Sequence, residues 1–176
     1  MNIWDKLLEG SQGLAPNTVL VAFVMRHYLP KRHVAFLDIG PGRHAANQVH
    51  LEARGFNVFS VDPSLRALKN MQADIREVEF ETGQFDLIYD VNTLCHVENP
   101  PMESICRWLK IGGRFFSIAP TEDTWRGVGE GKEFTRFANL EGIERLHDCF
   151  TGLRVSRQSY PHGDHQINSW IIEAVK

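Results

Sequence analysis

Two closely spaced glycines, with one acid just before them and another twenty residues on, are the residues here whose types and spacing first suggest chemistry. They lie in Phe36-Leu-Asp38-Ile-Gly40-Pro-Gly42-Arg-His44-Ala-Ala46 and Ser60-Val-Asp62-Pro63-Ser64. Gly40 and Gly42 lack a Cβ, so a ligand can come close to the backbone, and a helix opening near Arg43 would aim its free N–H groups at an anion. A carboxylate at Asp62 can accept hydrogen bonds from both hydroxyls of a ribose. A glycine turn followed by an acid at this distance points to a nucleoside cofactor. The plainer alternative is a pair of turn glycines and a strand-ending Asp with no cofactor, which leaves their joint spacing a coincidence.

Asp38 separates the cofactors. Gly40-Pro-Gly42-Arg-His-Ala45 satisfies the dinucleotide fingerprint GxGxxG/A. Dinucleotide-binding strands stay apolar up to the first glycine, because a carboxylate there would repel the anionic pyrophosphate. An Asp two residues before that glycine suits a cofactor with positive charge, and S-adenosylmethionine carries an ammonium and a sulfonium.

The elements that must position these residues read as alternating strands and helices. His33–Asp38 has the pattern of a strand buried on both faces, a helix follows from about Arg43 to Arg54 before Gly55, and Phe56–Val61 is a second strand. Strand, helix and strand in this span form a βαβ unit with parallel pairing, and in such sheets ligands bind outside the carboxyl ends of the strands. The alternation continues with a short helix at Ser64–Asn70, a brief strand at Met71–Ile75 and a strand at Phe85–Val91. A helix at Pro101–Lys110, the turn Gly112-Gly113 and a strand at Arg114–Ala119 come next, then a loop over 120–137 and a helix at Asn139–Phe150. Leu153–Tyr160 and Gln166–Val175 are close enough to form a hairpin, so one of them should run antiparallel to the rest. Before all this, Ile3–Glu9 and Thr18–Leu29 read as two N-terminal helices, within 1–30, that cover the cofactor site.

Composition narrows the class. A length of 176 residues fits one domain, 1–176, with 43% hydrophobic and 23% charged residues. Nineteen Lys and Arg against 22 Asp and Glu leave a net charge of −3, which offers no basic surplus for a nucleic-acid backbone. Cys95, Cys106 and Cys149 have no CxxC spacing and read as reduced thiols, with neither a disulfide framework nor a metal site. The apolar stretch Thr18–Met25 is too short to span a bilayer, and no basic leader precedes it. A cytoplasmic protein without membrane partners is the expectation.

With these residues in view, the sequence resembles the class I S-adenosylmethionine-dependent methyltransferases. Leu37-Asp38-Ile-Gly40-Pro-Gly42 is similar to that family's first motif, and Ser60-Val-Asp62-Pro63 to the acidic end of its second strand. Gln72-Ala-Asp74-Ile75 resembles the position whose carboxylate meets the adenine amino group. Phe85-Asp-Leu-Ile-Tyr-Asp90-Val-Asn-Thr-Leu-Cys-His96 resembles the fourth strand and the turn lining the methionine part, and Leu109-Lys-Ile-Gly112-Gly113 the family's LKPGG turn. The resemblance implies a Rossmann-like, mostly parallel sheet with helices on both faces and an antiparallel C-terminal hairpin strand. It implies S-adenosylmethionine as cofactor, with Asp38, Gly40, Gly42, His44, Asp62, Pro63, Asp74, Ile75 and Asp90 around it. The chain departs from the family in two places: His44 stands where a third glycine is common, so either the helix starts slightly differently or His44 reaches the ligand, and the stretch from Asp62 to Asp74 leaves little room for the usual helix.

Other features have plainer readings. Asn99-Pro-Pro101 is taken as a helix start and His162-Gly-Asp-His165 as ordinary turn chemistry rather than a metal site. His96 suits a general base and a structural histidine equally. Trp125, Arg126, Phe134, Arg136 and Phe137, on or beside the loop with Gly127, Gly129 and Gly131, form either a substrate lid or an exposed surface. The function implied is methyl transfer to a small-molecule acceptor, with a protein acceptor open and no catalytic residue assigned. The alternatives are a nicotinamide-dependent oxidoreductase and a non-catalytic S-adenosylmethionine-binding accessory protein.

Overall fold

In the computed structural model, residues 15–28, 33–121, 143, 149–162 and 165–176 are described. Helix α1 spans Thr18–His27, strand β1 Ala35–Ile39, helix α2 Ala46–Glu52, β2 Asn57–Val61 and β3 Phe85–Val91. A 3₁₀ turn at Leu94–His96, helix α3 at Met102–Trp108, and strands β4 (Leu109–Pro120), β5 (Gly152–His162) and β6 (His165–Val175) complete the order. The six strands form one sheet in the order β2-β1-β3-β4-β6-β5. β2, β1, β3 and β4 are parallel, and β6 enters antiparallel between β4 and β5. The hairpin expected at the C-terminus is there, with β6 the strand that runs against its neighbours.

Each face of the sheet has its own core. Strand residues alternate faces, so Phe36, Val58, Leu87, Tyr89, Phe116 and Ile118 meet Leu20, Phe23 and Val24 of α1 and Leu51 of α2. Leu37, Ile39, Ile88, Phe115 and Ile172 point the other way, onto Ile105, Cys106 and Trp108 of α3. Trp108 is fully buried, and removing a side chain of that size from water contributes roughly 3 kcal/mol. Asn17 caps α1, its side chain accepting from the amides of Val19 and Leu20 at 3.0 Å each. At the other end the Tyr28 hydroxyl donates to the Asp86 carbonyl at 2.9 Å, fixing α1 to the start of β3.

Four elements differ from the sequence reading. Residues 64–70 form turns rather than a helix, and 71–75 form no strand beyond a single bridge between Val61 and Met71. Asn70 occupies the edge of β2 there, its side chain accepting from the Ser60 amide at 2.9 Å and hydroxyl at 3.0 Å. α2 starts at Ala46 rather than Arg43, because residues 42–44 turn first and Ala45 is left-handed, at φ 42°. Gly112-Gly113 lies inside β4, which begins at Leu109. The β3–β4 register shifts between Phe85 and Leu87, Gly112 takes φ 77°, and a Cβ on Gly113 would stand 2.8 Å from the Lys110 carbonyl. The pair makes an irregularity in the strand rather than a turn before it. α3 begins at Met102 directly after Asn99-Pro-Pro101, as the helix-start reading requires. Ile3–Glu9, the loop from 122 with Trp125, Arg126, Phe134, Arg136 and Phe137, and most of the expected helix at 139–150 lie outside the described residues.

Candidate functional site

The site forms where β1, β2 and β3 end side by side. Register sets Asp38 beside Ser60 and Tyr89, and Ile39 beside Val61 and Asp90, so one step past β2 brings Asp62 level with the Gly40 turn. The Gly40 amide donates to the Val61 carbonyl at 2.8 Å, and the Gly42 amide to Asp62 Oδ2 at 3.2 Å. Asp62 Oδ1 accepts from the Ser64 amide at 2.8 Å, so this carboxylate ties the loops after β1 and β2 together. Gly40 needs to be glycine for two reasons. Its φ is 72°, and an added Cβ would lie 2.3 Å from Thr93 Oγ1 and Cγ2. Thr93 in turn donates its hydroxyl to the Gly40 carbonyl at 3.2 Å.

All three acids, Asp38, Asp62 and Asp90, are buried at these strand ends. Asp38 Oδ2 accepts from the fully buried Tyr89 hydroxyl at 3.0 Å. Burial pushes the Asp38 carboxyl up to about 8, the Tyr89 hydrogen bond opposes this, and nearby Asp90 and Asp62 add to it. Asp90 Oδ2 accepts from the Thr93 and Leu94 amides at 3.1 Å each, holding the 3₁₀ turn. Its Oδ1 is buried without a well-formed hydrogen bond, as is Oγ of Ser117, its register partner on β4. Burial raises Asp90 to about 6, against the pull of the Ser117 hydroxyl and the two amides. Taking carboxylates out of water disfavours their charge unless a cation or further donors arrive. The cluster therefore favours a positively charged ligand.

The remaining predicted residues divide. Pro63 follows Asp62 at the same strand end and is half-buried. His44 is exposed in the turn before α2, and the left-handed residue is Ala45 beside it. Asp74 is gripped by Arg76, with contacts of 2.6 Å to Oδ2 and 3.0 Å to Oδ1, and that side-chain hydrogen bonding holds its carboxyl below the usual range. Arg76 also reaches the Glu98 carbonyl beyond β3. Ile75 is buried in the α3-side core. His96 closes the 3₁₀ turn, half-buried, and burial lowers its pKa. His162 and His165 are register partners at the hairpin end. Sequence reasoning missed Tyr89 and Thr93. Tyr89 looked like any apolar strand residue, whereas Thr93, three residues after a strand-ending Asp, carried the signal of an Asp-capped turn.

A methyltransferase-domain family model matches residues 17–162. No curated protein matches the chain. Among solved structures, the chain is similar to phosphoethanolamine N-methyltransferase 2 of Haemonchus contortus, in complex with phosphomonomethylethanolamine and S-adenosylhomocysteine. Identity is 18% and the TM-score 0.70, over 98% of this chain and 56% of that one. The chain thus spans little more than half of that relative. It is also similar to a structure of Haloferax volcanii Trm112 methyltransferase activator with its methyltransferase (16% identity, TM-score 0.66, 99% and 98% of the chains). Geranyl diphosphate C-methyltransferase of Streptomyces coelicolor follows (15%, 0.65, 90% and 75%). These likenesses establish the shared fold, and the family match covers most of the chain. The chain belongs to the methyltransferase-domain family, as the resemblance of its motifs to class I S-adenosylmethionine-dependent methyltransferases implied.

Proposed function

We propose that the protein, acting as a single domain over 1–176, transfers a methyl group from S-adenosylmethionine to a small-molecule acceptor. The observation that carries this reading is the set of buried acids, Asp38, Asp62 and Asp90, at the carboxyl ends of three adjacent strands around the Gly40–Gly42 turn. When bound, S-adenosylmethionine supplies an electrophilic methyl group on a cationic sulfur. Asp38 and Asp90, whose Oδ1 lacks a hydrogen bond, fit the ammonium end of such a cofactor. Asp62 keeps lone pairs for the ribose hydroxyls while holding the Gly42 and Ser64 amides. Asp74 has both oxygens on Arg76, so a contact with an adenine amino group would use lone pairs that Arg76 leaves open. Pro63, Ile75 and exposed His44 would line the adenosine part.

The chain's contribution to rate is positioning and exclusion of water, which is sufficient when the leaving group is good. Relatives named for N- and C-methylation of small phosphate esters share the fold, which supports a small-molecule acceptor without naming one. The charge of −3 argues against a nucleic-acid acceptor. No helix among the described residues is long and apolar enough to cross a membrane, and cytoplasmic action is part of the proposal. Incubation of the protein with methyl-labelled S-adenosylmethionine and a panel of amines, alcohols, thiols and phosphate esters tests it. Label transfer to one acceptor class is expected. Binding of the cofactor with no transfer to any acceptor would leave only the accessory-protein reading.

A further inference from the structure

A cleft of about 380 Å³ opens at the far end of the sheet from the Gly40 turn. It is lined by Arg26 and His27 at the end of α1, Arg114 early in β4, Gly152 to Arg154 at the start of β5, and Glu173 and Val175 of β6. Register explains the convergence. Arg114 pairs with Val175, Val175 with Gly152, and Glu173 with Arg154, and the side chains of Arg114, Arg154, Glu173 and Val175 leave the sheet on the α1 face. Arg114 sits beside Leu87 near the beginning of β3, so the cleft is at the amino ends of the parallel strands, remote from the acids.

The charges here are unbalanced. Three guanidinium groups face one carboxylate, a surplus of two positive charges. Among the described residues, the nearby ion pairs run elsewhere, Lys110 to Asp86 and Arg107 to Glu79, and none involves Arg26, Arg114 or Arg154. The carbonyl end of α1 accounts for Arg26 and His27 but not for the two arginines on the sheet. His27 registers the excess: its pKa is lowered by burial first and by Arg114 next, with Glu173 opposing. Convergent like charge of this kind costs stability until an anion fills it.

We propose that this cleft binds a small molecule through a phosphate group. Guanidinium forks match phosphate oxygens two at a time, and the volume falls in the range of small-ligand sites. The site is independent of the cofactor reading, because none of its residues touches the Gly40 turn.

Titration calorimetry with inorganic pyrophosphate at low salt tests it on wild type, Arg114→Gln and Arg154→Gln, with S-adenosylhomocysteine affinity and melting temperature measured beside it. Saturable binding to wild type is expected, weakened about tenfold or more in each variant, the loss of one charge-assisted contact. Both variants should keep the wild-type response to S-adenosylhomocysteine. No saturable binding at millimolar pyrophosphate, or equal affinity in all three proteins, overturns the proposal whatever happens at the cofactor site. Sedimentation with phosphatidylglycerol vesicles is the companion arm, and binding to vesicles without binding to pyrophosphate would overturn the small-molecule assignment.

Discussion

Replacing Asp38 with Asn should make the ligand-free protein more stable and its cofactor binding worse. Asp38 is buried and its carboxyl is pushed up to about 8, while in the unfolded chain an Asp titrates near 3.9. Between those values the folded protein holds a proton that the unfolded chain has released. Stability therefore falls as pH rises from about 4 to 8, by up to roughly 1.4 kcal/mol per pH unit, and levels off above 8. The full penalty is on the order of 5 kcal/mol, reduced by whatever relaxation or water entry the charged form provokes. Asn cannot ionise, yet its carbonyl oxygen can still accept from the Tyr89 hydroxyl that Asp38 accepts from at 3.0 Å. The two proteins should be nearly equal at pH 4. At pH 9 the variant should be ahead by about 2–5 kcal/mol. Urea unfolding of both proteins at pH 4, 6, 7.5 and 9 measures the difference directly. A gap that does not grow with pH, or a variant no more stable at pH 9, would refute the claim that Asp38 is an uncompensated buried acid.

The other expectations concern the turn, the ribose acid and the loop. Asp62→Ala should weaken S-adenosylhomocysteine binding by about 2–4 kcal/mol, roughly 30- to 1000-fold by calorimetry, with Asp62→Asn in between. An undiminished affinity in both variants would remove Asp62 from the cofactor. Gly40→Ala puts a Cβ 2.3 Å from the Thr93 side chain on a backbone at φ 72°. It should cost about 1–3 kcal/mol and lower the melting temperature by several degrees, and an unchanged melting curve would contradict the packing described. If the loop at 120–137 covers the acceptor, its amide exchange should slow when cofactor and acceptor are both bound. Protection confined to the strand ends would make Trp125 and Arg126 surface residues.

What the sequence revealed follows from how local the deciding forces are. The β1–α2–β2 unit was legible because its strands are apolar on both faces and its glycines and acids sit where turns need them. The segment from Ser64 to Ile75 was not. Leu65 and Leu68 look like helix residues but are exposed, with no surface to bury them, and Asn70 side-chain hydrogen bonds replace most of a strand ladder beside Ser60. Gly112-Gly113 reads as a turn from composition, and only the pairing of Phe85 with Leu109 shows that β4 begins before it. In the site, Asp38, Asp62 and Asp90 announced themselves as acids at strand ends. Tyr89 reaches Asp38, and the Thr93 hydroxyl the Gly40 carbonyl, across 51 and 53 residues, and no spacing rule reaches that far. Asp74 shows the opposite error: its partner, Arg76, is two residues away and was overlooked.

The central claim is that a cationic nucleoside cofactor, and not a dinucleotide, occupies the Gly40–Asp62 turn. Titration of the wild-type protein with S-adenosylmethionine, S-adenosylhomocysteine and NAD at pH 7 tests it most directly. Both sulfur nucleosides should bind saturably, and NAD should give no saturable heat, since its pyrophosphate would face Asp38 and Asp62. Saturable NAD binding, with none of either sulfur nucleoside, would contradict the account.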